Sequence, residues 1–138
     1  MVFFLNFACV MKHQDYVTDA IDLLCALINT PSVSREEKDA ADLMEQRMKS
    51  YGLAPHREAN NLWLMADGYD EQKPTLLLNA HIDTVKPAIS WTRDPFRASV
   101  EDDRIYGLGS NDCGGGLTTL LQVFRFLSLR PQPYNLIY

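Results

Sequence analysis

The chain predicts an α/β layered domain, and three observations carry that prediction. Apolar residues switch from helical to strand spacing after Pro55. An unbroken apolar run then delivers His81 and Asp83 at its end, and a glycine-rich turn around Asp112 leads into another helical stretch. With 138 residues there is room for one domain and little more.

Val17, Ile21, Leu24 and Ile28 recur at helical spacing, so an amphipathic helix is expected over 15–28, ended by Asn29, Thr30 and Pro31. Ser34 with Glu37 reads as a capping box for a second helix. Its buried stripe would be Ala41, Met44, Met48 and Tyr51, with Gly52 as the C-terminal cap. Residues 62–66 read as a strand, Asp67-Gly68 as a turn, and 75–80 as a strand buried on both faces of a parallel sheet. Residues 97–101 and 104–107 form a hairpin with Asp102 and Asp103 at its turn. A third helix from Gly116 would bury Leu117, Leu120, Leu121, Phe124 and Leu127 until Arg130-Pro131 breaks it, and 134–138 begin another strand.

A net charge of −5 argues against a nucleic-acid partner. Residues 1–10 are apolar but too short to span a bilayer and lack a basic lead, so no membrane partner is expected. They read as an upstream extension, with Met11 the more natural start. Cys9, Cys25 and Cys113 form no Cys-x-x-Cys pair, which fits a reduced, cytoplasmic setting.

Side chains two apart on a strand share a side, so His81 and Asp83 can face one site, with Asp83 orienting the imidazole. Imidazole and carboxylate at a strand's carboxyl end make a plausible metal site. Asp112 sits among Gly107, Gly109, Gly114, Gly115 and Gly116, where backbone can approach a ligand closely. There it is open to two readings: a carboxylate binding one metal or bridging two, or a cap on the helix that follows. A phosphate cradle fails on spacing, because Asp112 stands where the third glycine of the dinucleotide fingerprint belongs. There is also no P-loop lysine, no Gly-x-Ser-x-Gly elbow and no His-Glu-x-x-His.

Two motifs together resemble the M20 metallopeptidase family of aminoacylases, acetylornithine deacetylases and succinyl-diaminopimelate desuccinylases. They are His81-Ile82-Asp83-Thr84-Val85 and Gly107-Leu108-Gly109-Ser110-Asn111-Asp112, with Trp91 and Asp94-Pro95-Phe96 between them. The resemblance implies a three-layer zinc-peptidase-like fold, a mixed sheet between helices, of which 11–138 would be a truncated, N-terminal part of the catalytic domain. His81 would bind zinc, Asp83 would be the catalytic carboxylate supporting it, and Asp112 would bridge two zincs, cobalt being able to substitute. The family's Glu pair, general base and metal ligand, would follow the last strand, and a lid domain would make the full-length protein a homodimer.

Cys113-Gly114-Gly115 stands where the family commonly has Lys-Gly-Gly, a form that looks most like acetylornithine deacetylase. The resemblance therefore implies hydrolysis of a small-molecule N-acyl amino acid, as in arginine biosynthesis, with this fragment inactive alone. Succinyl-diaminopimelate or a dipeptide is the alternative substrate. The alternative from another class is a non-catalytic truncated homologue or pseudoenzyme with weak metal binding.

Overall fold

The computed structural model describes residues 12–138. Along them run α1 (His13–Ile28), α2 (Lys38–Ser50), β1 (His56–Glu58), β2 (Asn61–Trp63), β3 (Thr75–Leu77), β4 (Ser99–Glu101), β5 (Arg104–Tyr106), α3 (Gly115–Ser128) and β6 (Asn135–Ile137). Residues 1–10, read above as an upstream extension, lie outside the described residues, as does Cys9. No described helix is long and apolar enough to cross a membrane.

The expected α/β fold with a mixed sheet is present. β1 pairs antiparallel with β2. The chain after β2 then joins β6, with Leu64 and Tyr138 exchanging backbone hydrogen bonds of 2.7 and 3.0 Å and Met65 facing Ile137 antiparallel. β6 runs parallel to β3, with Leu76 opposite Leu136. The resulting order is β1, β2 with its extension, β6, β3. β4 and β5 form the expected hairpin, and Asp102 and Asp103 at its turn both take positive φ, 48° and 59°. Positive φ at both central residues is the turn geometry that matches strand twist.

One face of this sheet is covered. Leu23 of α1, Met44 and Met48 of α2, and Leu117, Leu121 and Phe124 of α3 close over Leu64, Leu136 and Tyr138. The described residues thus supply a helical layer on one side, while Met65 and Leu77 on the other side are 43% and 59% exposed. The Tyr138 hydroxyl donates to the Leu117 carbonyl at 3.1 Å, and burial pushes its pKa well above the usual tyrosine value.

Three local expectations are corrected by packing. In α1 the buried residues are Leu23, Leu24 and Ile28, whereas Val17 and Ile21 remain exposed. The helix turns Leu23 and Leu24 into the core, which leaves Val17 and Ile21 on an open seam beside Val123 and Phe126 of α3. β3 is exposed rather than buried on both faces, because the described residues put helices over only one of them. The capping box also fails: α2 starts at Lys38, and the Ser34 hydroxyl is committed elsewhere. The C-terminal end of α2 is as expected. Gly52, at φ 76°, donates to Lys49 and Leu53 donates to Met48, the paired bonds of a left-handed helix stop. β1 was not anticipated; His56 stacks on Trp63 across the β1–β2 pair.

Candidate metal centre

Sheet bonding of the β3 segment reaches Leu78, and pairing resumes where Thr84 runs parallel to Val33. His81 and Asp83 lie between, on chain just past the carboxyl end of β3, the position where open α/β sheets place ligands. Strand alternation turns Leu78, Ala80 and Ile82 onto the core. His81 and Asp83 are left at the opposite, half-exposed side.

Asp112 arrives from the glycine-rich turn. Gly109 has φ 77°, and a Cβ there would stand 2.6 Å from Cγ2 of Thr84, so only glycine lets this turn lie against the His81 strand. Gly114 donates to the Gly109 carbonyl at 2.8 Å, and a Cβ on it would come within 2.7 Å of that same oxygen. The Asp112–Cys113 peptide bond is cis. α3 begins at Gly115 with no side-chain cap, and the Asp112 carboxylate, 93% exposed, points to His81 instead. Capping is therefore not its role.

The three residues meet on one ring. His81 Nε2 lies 3.0 Å from Asp112 Oδ1, while Nδ1 lies 3.0 Å from the Asp83 carbonyl and 3.2 Å from Asp83 Oδ1. Acceptors thus face both nitrogens. A doubly protonated ring satisfies both, so the His81 pKa is raised, chiefly by the Asp112 hydrogen bond and then by Asp83. Asp83 is held below the usual carboxylate range, first by the Ser34 hydroxyl and then by His81.

The donor chemistry fits a divalent cation between Nε2 and Asp112. In the neutral ring with its proton on Nδ1, facing the Asp83 carbonyl, Nε2 is the lone-pair nitrogen beside a hard carboxylate oxygen. The fit is partial: among the described residues no three His, Cys, Asp or Glu side chains converge as a metal-holding group. Asp83 and Asp112 approach opposite ring nitrogens, so they do not share one point. An open cleft of about 750 Å³ adjoins His81, lined also by Asn60, Asn79, Asp83 and Cys113.

Comparison with known proteins gives the following likenesses. Residues 77–136 match the family model described as Peptidase family M20/M25/M40. The chain is 33% identical, over 88% of its length, to a succinyl-diaminopimelate desuccinylase of Blochmanniella floridana, of which it covers 34%. It is 28% identical, over 84% of its length, to the Xylella fastidiosa protein of the same name. It superposes on an M20 family metallo-carboxypeptidase from Sulfolobus solfataricus with a TM-score of 0.66 at 24% identity, covering 86% of this chain and 29% of that one. On human carnosine dipeptidase 1 the TM-score is 0.54 at 16% identity, over 90% of this chain and 32% of the other.

The matches support the M20 peptidase family, whose members are metal-dependent hydrolases. The chain spans about a third of the curated relatives it matches, 34% and 32%. Those relatives are named desuccinylases rather than acetylornithine deacetylases. That name is the alternative substrate read above, not the acetylornithine deacetylase form suggested by Cys113.

Sequence reading missed Ser34 as a site residue. Its hydroxyl donates to Asp83 Oδ2 at 2.5 Å across 49 residues of sequence, and no local pattern reports so distant a partner.

Proposed function

We propose that this chain is the N-terminal part of the catalytic domain of a metal-dependent M20 amidohydrolase that cleaves the amide of an N-acyl amino acid. The observation that carries the reading is the meeting of His81 Nε2 and Asp112 Oδ1 at 3.0 Å, with Nδ1 secured by Asp83. His81 and Asp112 would hold zinc or cobalt, and Asp83 would fix the ring's tautomer. When bound, the metal supplies a water of lowered pKa and polarises the scissile carbonyl. His81 keeps Nε2 directed at that position, and Asp112 offers negative charge beside it.

For the substrate, an N-succinyl diamino acid of the diaminopimelate type is the better-supported member of the class, because the relatives cited above bear that name. The corresponding role is in lysine rather than arginine biosynthesis, in the cytoplasm, in a protein that dimerises at full length. A second reading has its own observation. With no three converging donors among the described residues, the 138 residues by themselves fit metal binding without turnover.

The test is to read the frame past codon 138 and assay the product on N-succinyl-diaminopimelate and N-acetyl-ornithine, before and after chelation. Chelator-sensitive cleavage favouring the succinyl substrate is the expected result. Turnover that survives exhaustive chelation would reject the metallohydrolase reading, and a preference for N-acetyl-ornithine would reject the substrate assignment.

A further inference from the structure

The segment joining α1 to α2 is zipped onto the strand that carries His81 and Asp83. Thr84 N–H donates to the Ser32 carbonyl at 2.8 Å, and Ser34 N–H donates to the Thr84 carbonyl at 3.0 Å. These two bonds set the Ser34 backbone in register with Thr84, which brings the hydroxyl within reach of the Asp83 carboxylate. The turn beyond Ser34 is closed as well. Arg35 takes φ 80°, Glu36 N–H donates to the Val33 carbonyl at 2.7 Å, and the Glu37 carboxylate accepts from Arg35 N–H while Asn60 holds its other oxygen at 3.1 Å.

Asp83 thus has one oxygen on each side. Oδ2 accepts from Ser34, and Oδ1 stands 3.2 Å from His81 Nδ1. A carboxylate rotates about its terminal torsion with a broad preference, so an oxygen facing the ring is not assured by the strand alone. Pinning Oδ2 limits that freedom and leaves Oδ1 3.2 Å from Nδ1, beside the Asp83 carbonyl that lies 3.0 Å from the same nitrogen.

We propose that Ser34 is a positioning residue of the site: its hydroxyl fixes the Asp83 carboxylate, and through it the charge that faces Nδ1 of His81 beside the Asp83 carbonyl. The proposal rests on the metal-site reading above for its consequence and on the Ser34–Asp83–His81 geometry for its substance. Partners that orient a metal-binding imidazole typically change affinity about 10–100-fold, and Ser34 acts one step further out.

Two measurements on the 138-residue chain separate the proposal from the reading it rests on. The first is the side-chain ¹⁵N spectrum of His81 in metal-free protein, at a pH above its titration. Ser34→Ala should move the Nδ1 resonance, and Ser34→Thr, which keeps the hydroxyl, should restore it. An unmoved Nδ1 in a folded Ser34→Ala chain overturns the proposal.

The second is zinc affinity by calorimetry. Ser34→Ala should weaken binding about tenfold and Ser34→Thr should recover it to within about twofold. In an Asp83→Ala background, removing the hydroxyl should add nothing, because the two act as one unit. An equal loss in both backgrounds overturns the proposal. If the wild-type chain takes no zinc while Nδ1 still responds to Ser34, the metal reading fails and the positioning role stands.

Discussion

Asp83 and Asp112 sit at opposite nitrogens of the same imidazole, and the molecule holds them by different means. Asp83 lies on a strand locked to the α1–α2 connection, with both carboxylate oxygens engaged, by Ser34 and His81. Asp112 projects from a glycine turn, 93% exposed, and faces His81. One carboxylate is preorganised by the fold; the other is brought to the site by backbone shape and left free to serve a ligand. A protein can therefore lose Asp112 cheaply in stability and dearly in binding, whereas Asp83 and its supports carry both.

The largest expected effect breaks that comparison on the binding side. Asp112→Ala should lower zinc affinity by more than the roughly 100-fold upper range of an orienting partner, with Asp83→Ala falling within about 10–100-fold. The melting temperature of metal-free Asp112→Ala should stay within about 2 °C of wild type, as for exposed surface changes. Equal metal content in wild type and Asp112→Ala would remove Asp112 from the donor set.

A smaller effect comes from the backbone that presents Asp112. Gly109→Ala forces a side chain into φ 77° against Thr84, 2.6 Å away. It should cost about 1–2 kcal/mol in urea unfolding, the expense of left-handed backbone for a non-glycine residue. The same substitution should weaken zinc binding, since the turn can no longer lie against the strand.

The smallest effect is in pH. The folded-state pKa of His81 is raised above 6.5, so its contribution to metal-free stability is full below that value and is lost as pH rises through the folded pKa. Asp83 behaves in the opposite sense. Its lowered pKa gives stability present above the ordinary carboxylate value and lost as pH falls through the folded one. Thermal melts of metal-free wild type and His81→Gln across this range check the first statement: the wild-type decline should disappear in the variant. Zinc affinity should rise with pH over the same window, because a proton on Nε2 competes for the position the metal would take.

Much of the frame was legible because it depends on local signals. The helix stop at Gly52, the positive-φ turn at Asp102 and Asp103, and the α3 stripe through Leu117, Leu121 and Phe124 all follow from spacing and residue type. His81, Asp83 and Asp112 were legible as candidates for the same reason, the strand end and the glycine turn being sequence-visible. What was not legible depends on partners far away in the chain. Val17 and Ile21 have helical spacing but lose the core to Leu23 and Leu24 once α3 docks, and β3 is bared where no described helix lies over it. Ser34 carried a local capping signal that a long-range bond to Asp83 overrode. Cys113 suggested an acetylornithine deacetylase form, whereas the relatives reported above are named succinyl-diaminopimelate desuccinylases.

Zinc titration of the metal-free 138-residue chain, beside His81→Ala, tests the metal centre most directly. The account predicts one weak site, because two protein donors fall short of the three that a catalytic zinc usually has. It predicts that the site vanishes when His81 is replaced. Two tight sites, or binding unchanged in His81→Ala, would contradict it.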